Sequence, residues 1–434
     1  MAQTSGNTHH LIVGTFRHPY LYTLEFSRPD SSTPRQRNAL KILSKLTATG
    51  GHSWLHLDPL RGVLYCTGWT QPPSLAAYKI EDTRNPSSPL RLRLLNQAYP
   101  KYLSGYVTVD QAALYSASGP QGDVFALDPS TGAFASQKGN ADTQAETEAA
   151  GPIQSFSFLS QAEQEAIDRG ENVGGIMDFG GLRHGGHSAD LSPDGKRLYV
   201  ADMQRPQRNL DLPTKPSRSD PMMVQGMFGL VKLEAGRTGL CMWYKNTRQG
   251  STFSQKGRIA NCTGQTVSPT YSLLSITADR NYCITKSACA EVRTSPKGDV
   301  LFASTRGLEP SEKGYIIAVE LDPATGKLPS DSTLLVNPTS GIEEYVPLHR
   351  WQTPTSGGWA NAINVCPTLG AGGEVYISLT DSEQGWVWML QWTLADGFEV
   401  VGSVNLNEYG EEGNQEIVPK KGDGIGASVT VWYD

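Results

Sequence analysis

Apolar and polar residues alternate with a period of two in short runs along this chain, and five of those runs share one design. They are SWLHLDPLRGVLYCTGW from Ser53, SGYVTVDQAALYSASG from Ser104, GGHSADLSPDGKRLYVADM from Gly185, AEVRTSPKGDVLFASTR from Ala290 and NAINVCPTLGAGGEVYISLTD from Asn361. Each reads as a strand, a turn, and a second strand centred on an aromatic residue. The aromatics are Tyr65, Tyr115, Tyr199, Phe302 and Tyr376, at successive steps of 50, 84, 103 and 74 residues. Allowing for insertions, these steps fit a unit of roughly 40–50 residues, the length of a propeller blade. The step of 103 leaves room for one further blade. A seventh assembles from HHLIVGTF near the N-terminus and ASVTVWYD at the C-terminus. The pattern therefore predicts an all-β fold: one seven-bladed β-propeller over residues 9–434, closed by N- and C-terminal strands in one blade, with an irregular fourth blade. Two open sheets packed as a sandwich are the alternative.

Two excursions break the pattern. Residues 135–180 are polar and acidic and read as a surface insertion with one short helix, SQAEQEAIDRG. Its start is marked by Ser160 and Glu163 as a capping box and its end by Gly170. Residues 250–285 are rich in Ser and Thr and read as an irregular insertion.

Composition narrows the function. The 45 glycines and 27 prolines suit a fold with many turns, and 38 % hydrophobic residues suffice for a large core. A net charge of -6 argues against nucleic acid or an anionic membrane as partner. No apolar run is long enough to span a bilayer and no signal peptide is visible, so the expected location is cytoplasmic. The six cysteines (Cys66, Cys241, Cys262, Cys283, Cys289, Cys366) contain no CxxC pair and read as reduced thiols.

The repeat lets equivalent positions be compared within the one chain. Six residues before the turn proline lies a first slot, held by Ser53, His187, Ala290 and Asn361. Four residues after the aromatic lies a second, held by Trp69, Gly119, Met203, Arg306 and Thr380. In three blades the slots are 16 residues apart: 53 to 69, 187 to 203 and 290 to 306. The same step in the missing blade picks out Arg218 and Glu234, with Leu230 in the aromatic position, although no turn proline is present there. An imidazole, guanidiniums and a carboxylate around one channel suit a small anionic carboxylate undergoing proton transfer. No Ser-His-Asp triad and no strong metal motif are present, so no metal or other cofactor is expected. Each residue also has a plainer reading: His187 as a turn cap, His184 with His187 as a metal pair, Arg306 in a surface ion pair with Glu309 or Glu312. Asp381, Ser382 and Glu383 read as a turn near the channel mouth, and Trp386 and Trp388 as strand packing.

Several stretches resemble a known family. HHLIVGTF, HSADLSPDGKRLYVADM, FASTRG, PTSGGWANAINVCP, TDSEQGWVWMLQW and VWYD are similar to the fungal carboxy-cis,cis-muconate lactonizing enzymes, within a wider lactonase-type propeller family that includes 6-phosphogluconolactonase. The likeness covers residues 9–134, 181–205 and 288–434. It implies a seven-bladed propeller that closes 3-carboxy-cis,cis-muconate to a muconolactone without a metal. It also implies catalytic roles for His187 and Glu234 and substrate-binding roles for Arg218 and Arg306. The fourth blade departs from the family pattern, since Arg218 is flanked by Ser217 and Ser219, and the third offers no outer strand.

The resulting expectation is a cofactor-free cycloisomerase acting on a carboxylated, muconate-like unsaturated acid. A lactonase that opens a sugar or aromatic-pathway lactone, and a propeller that only binds, remain as alternatives. A homo-oligomer is left open.

Overall fold

The computed structural model describes residues 7–29, 39–81, 90–135, 150–159, 161–171, 186–191, 198–202, 232–236, 239–243, 274–276, 287–307, 311–323, 334–336, 343–345, 347–358, 362–409 and 425–433. Five complete antiparallel sheets have four strands each, running from the innermost strand outward in the order that follows. The terminal sheet is Ala427–Trp432, Thr8–Thr15, Tyr20–Ser27 and Leu40–Thr47. The first is Leu55–Asp58, Val63–Gly68, Ser74–Glu81 and Arg91–Ala98. The second is Tyr106–Val109, Ala113–Ser118, Gln121–Ala126 and Gln154–Ser157. The fifth is Ser287–Thr294, Val300–Gly307, Tyr315–Glu320 and His349–Gln352. The sixth is Ile363–Val365, Val375–Thr380, Trp386–Thr393 and Gly397–Asn405.

Between the second and fifth sheets lie two smaller ones. The third pairs Gly186–Leu191 with Leu198–Asp202, and the fourth joins Lys232–Gly236, Gly239–Trp243 and Leu274–Ile276. A hairpin, Leu334–Val336 with Glu343–Tyr345, is inserted in the fifth sheet ahead of its outer strand. The inner strands neighbour one another in the order fifth, sixth, terminal, first, second, third. That is the arrangement of a β-propeller rather than of two stacked layers.

The layering follows from side-chain alternation. A strand in the middle of a blade has a sheet on each side, so both of its faces must be apolar or small. Val63–Gly68, Ala113–Ser118, Val375–Thr380 and Ala427–Trp432 are buried at every position. Outer strands such as Arg91–Ala98 and Gln154–Ser157 alternate toward solvent. Within one strand, Leu64 and Cys66 pack against the terminal sheet while Val63 and Tyr65 pack against the second. Leu11 and Val13 face the sixth sheet, and Ile12 between them faces the first. The repeated aromatics Tyr65, Tyr115, Phe302 and Tyr376 are all buried in these inter-sheet layers.

Within 135–180, Gln154–Ser157 supplies the outer strand of the second sheet, with Phe156 lying over Gly122. The helix Gln161–Asp168 follows, and Gly170 takes a positive φ of 77° just past its end. Ser160 of the expected capping box lies outside the described residues. Within 250–285 the described part is the strand Leu274–Ile276.

Candidate active site

One irregularity recurs at the inner strands of four sheets. In the third sheet Gly186 faces Asp202 but Ser188 faces Ala201, so His187 is an extra residue with no partner in the ladder. In the fifth, Cys289 faces Thr305 and Glu291 faces Ser304, leaving Ala290 as the extra one. In the first, Gly51 faces Trp69 and Leu55 faces Cys66, so the stretch around Ser53 holds one residue too many. In the terminal sheet two residues between Ala427 and Thr430 oppose the single Gly14. These β-bulges bend the strand and release one position from the in–out alternation, which re-aims a side chain at the rim of the fold. The first slot therefore coincides with a bulge, and His187 occupies it in the third sheet.

The second slot closes the same corner. In the first blade the two slots touch: Trp69 Nε1 donates to Ser53 Oγ at 2.9 Å. Ser53 Oγ also shares a hydrogen bond with Thr67 Oγ1 at 2.9 Å and reaches the Ser104 carbonyl at 3.1 Å. Thr380 is buried and bonds the Ser428 carbonyl at 2.7 Å. Backbone bonds then tie neighbouring blades into one rim. Gly307 N–H meets Ser356 O at 2.9 Å, Ser382 N–H meets Gly357 O at 3.1 Å, and Ala427 N–H meets Asp381 O at 3.0 Å. Phe16 N–H meets Gly426 O at 2.9 Å, and Trp69 N–H meets Gly51 O at 2.7 Å. Asp381, Ser382 and Glu383 do form the turn read from the sequence. The Asp381 carboxylate accepts the Glu383 and Gln384 N–H groups at 2.7 Å each, and the Thr355 hydroxyl.

Arg306 ends the second strand of the fifth sheet at this rim, opposite Ala288. Its guanidinium donates to the Gly358 carbonyl at 3.1 Å. Among the described residues it pairs with no carboxylate, Glu312 included. Burial pulls its pKa below the ordinary arginine value. Arginine stays protonated in proteins, so this is a partly desolvated positive charge held, among the described residues, by one neutral acceptor. That arrangement favours an incoming anion.

One step further along the inner strands, side chains from different sheets meet. Trp54 stacks on Tyr106 with ring centroids 3.9 Å apart, and the Arg293 guanidinium lies 5.4 Å from the Trp54 ring. Arg293 belongs to the fifth sheet and Trp54 leads into the first, so the stack reaches from one to the other. Glu291 pairs with Arg293 and accepts the Ile363 N–H at 3.0 Å. These side chains engage one another one step inward from the rim.

His52, beside Ser53, is fully buried. Its Nδ1 lies 2.5 Å from the Thr67 carbonyl, which can only accept, so Nδ1 carries the hydrogen and Nε2 is left bare. Among the described residues Nε2 has no partner, and neither does the nearby Ser428 Oγ. Burial lowers the His52 pKa to about 4, partly offset by the Thr67 hydrogen bond, so the ring is neutral at pH 7. Sequence comparison passed over His52 because it precedes the slot and its state is set by the sheets around it.

Of the residues selected from sequence, Arg306 is described in full. His187 is placed by its backbone at the bulge, and Glu234 lies on Lys232–Gly236 opposite Cys241. The side chains of both, all of Arg218, and Met203 and Asn361 lie outside the described residues. Trp386 and Trp388 stack on each other at 5.9 Å along their strand. Among the described residues no group of three or more His, Cys, Asp or Glu side chains is placed to hold a metal ion. No described helix is long and apolar enough to cross a membrane.

Fold and rim together define a β-propeller with a cationic rim position. Two solved propellers are similar over nearly their whole length: a putative 6-phosphogluconolactonase from Bacteroides fragilis (TM-score 0.54, 13 % identity, 100 % of both chains) and a periplasmic gluconolactonase from Pseudomonas aeruginosa (TM-score 0.54, 13 % identity, 98 % of this chain and 99 % of that one). At that identity they speak to the fold alone. Muconate cycloisomerase 1 from Cutaneotrichosporon cutaneum is 34 % identical over 401 residues, covering 92 % of this chain and 94 % of that protein. The chain belongs to the family of that cycloisomerase. No family model matches it.

Proposed function

We propose that this protein is a cycloisomerase that closes a muconate-like di- or tricarboxylate to a lactone, at the rim where Arg306 and the His187 bulge lie. The observation that carries the reading is Arg306, a half-buried guanidinium with no carboxylate partner among the described residues, in a chain 34 % identical to a muconate cycloisomerase. The reaction needs no outside oxidant or reductant. A carboxylate oxygen adds to the alkene carbon β to a second carboxylate, forming the ring C–O bond. The π pair moves to the α-carbon and is delocalised into that second carboxylate. A proton then reaches the α-carbon, and water later restores the donor. Arg306, and Arg218 by the resemblance, would neutralise the carboxylate on which charge builds. Together they hold the attacking oxygen near the alkene. His187 or Glu234 delivers the proton. The ring on which the site is built has seven blades in this proposal, supported by five complete sheets and two partial ones in chain order.

The test is the loss of diene ultraviolet absorbance when purified protein meets 3-carboxy-cis,cis-muconate or cis,cis-muconate. Wild type should turn over at least one of them. Arg306→Gln should lower kcat/KM by about 100-fold or more, the scale for losing one charge-stabilising donor. Equal rates in both proteins would remove Arg306 from the chemistry. Hydrolysis of a lactone without muconate turnover would replace the cycloisomerase reading with a lactonase.

A further inference from the structure

The turn that receives the Arg306 guanidinium carries a second donor. Ser356, Gly357 and Gly358 run from the fifth sheet toward the sixth, and both glycines have positive φ, 83° and 65°. Gly358 tolerates no side chain: a Cβ there would lie 2.7 Å from Glu383 Cβ and 2.8 Å from Ser382 Oγ. The turn is fastened at every carbonyl. Ser356 O accepts the Gly307 N–H at 2.9 Å, and Gly357 O accepts the Ser382 N–H at 3.1 Å and the Ser382 hydroxyl at 3.0 Å. Gly358 O accepts Arg306 Nη1 at 3.1 Å. Gly358 N–H is used by Ser356 Oγ at 3.3 Å. Gly357 is buried, yet its N–H has no acceptor among the described residues.

An orphaned buried N–H is rare enough to need an explanation. This one sits in the turn bonded to a guanidinium that has no carboxylate partner among the described residues, and a spare backbone N–H in a turn is a donor that an anion can take. The carbonyl of its own peptide unit is already bonded by Gly307, which polarises the N–H and strengthens it as a donor. We infer that Gly357 N–H and the Arg306 guanidinium form one carboxylate cradle, in which the backbone donor fixes the orientation of the carboxylate that Arg306 neutralises. The inference rests on the active-site reading of Arg306. A fixed N–H aimed at an oxygen that gains charge during ring closure costs no reorganisation at that moment.

The test separates the two ideas. The probe is adipate, a saturated six-carbon dicarboxylate with no alkene to react. Protein labelled with 15N-glycine and 13C-carbonyl serine restricts the spectrum to the five glycines that follow a serine. Gly357 is assigned by the signal lost in Ser356→Ala. With the cradle, the Gly357 amide proton moves downfield with the same midpoint as the heat of adipate binding. Arg306→Gln abolishes both, and Gly358→Ala weakens binding about tenfold or more, as expected for a hydrogen bond to a charged group. Adipate binding that depends on Arg306 but leaves the Gly357 amide unmoved overturns the cradle and leaves the active-site reading standing. Absence of Arg306-dependent binding overturns both.

Discussion

Lowering the pH should destabilise this fold through His52, and the size of the effect follows from its surroundings. The ring is fully buried, donates from Nδ1 to Thr67 O and has nothing to receive a hydrogen on Nε2. Its pKa falls from 6.5 to about 4. Folded chains therefore resist a proton that unfolded chains accept between those values. Stability is unaffected above pH 6.5, declines as pH falls through that window, and levels off below about 4. At about 1.4 kcal/mol per pKa unit the full loss is ~3 kcal/mol, a large share of what a typical domain has. The substitution to compare is His52→Asn, whose amide can replace the Nδ1 donor but cannot take a proton. Denaturant midpoints measured from pH 7 to 4 should fall more steeply in wild type, and the gap between the curves should narrow by about 3 kcal/mol toward acid. Parallel curves would refute the reasoning. They would mean that solvent or a polar neighbour reaches Nε2 and that the ring is not isolated.

Three further outcomes can be checked directly. Arg306→Lys should keep the charge but restore little of the activity lost in Arg306→Gln, because an ammonium cannot reproduce the planar two-point grip on a carboxylate; recovery near wild-type kcat/KM would count against it. Tyr65→Phe removes a buried 2.7 Å bond to the Gly132 carbonyl and should cost about 1–2 kcal/mol in denaturant melts, with turnover unchanged. Trp54→Ala should cost about 3–5 kcal/mol, since the indole packs into the layers on both sides of the first sheet and under Arg293. A near-neutral melt would show that this stack is not part of the core.

The blades were readable in the sequence because a strand between two sheets leaves a two-fold apolar pattern and a conspicuous aromatic, as at Tyr65 and Phe302. The slot comparison was readable because a hairpin of fixed length brings its ends together, and the Ser53–Trp69 bond is that closure. The strand Gln154–Ser157 was hidden because only its Phe156 side is apolar and its neighbours in sequence are acidic. The Ser356–Gly358 turn was visible as a motif but not as a donor, since the conformation that leaves the Gly357 N–H over is held through its carbonyls by Gly307, Ser382 and Arg306, three partners distant in sequence. The bare nitrogen of His52 was out of reach for the same reason. It comes from what the fold fails to place beside it.

The strand shared by the two ends of the chain has a consequence for synthesis. Thr8–Thr15 leaves the ribosome about 400 residues ahead of the strand that covers its inner edge, Ala427–Trp432. At about 5–20 residues per second that is a wait of roughly 20–80 s with hydrogen-bonding groups and the apolar Leu11, Ile12 and Val13 uncovered. An open edge of that kind recruits other strands. How soon Ala427–Trp432 docks thus decides whether a nascent chain covers this edge itself or lends it to its neighbour on the same messenger.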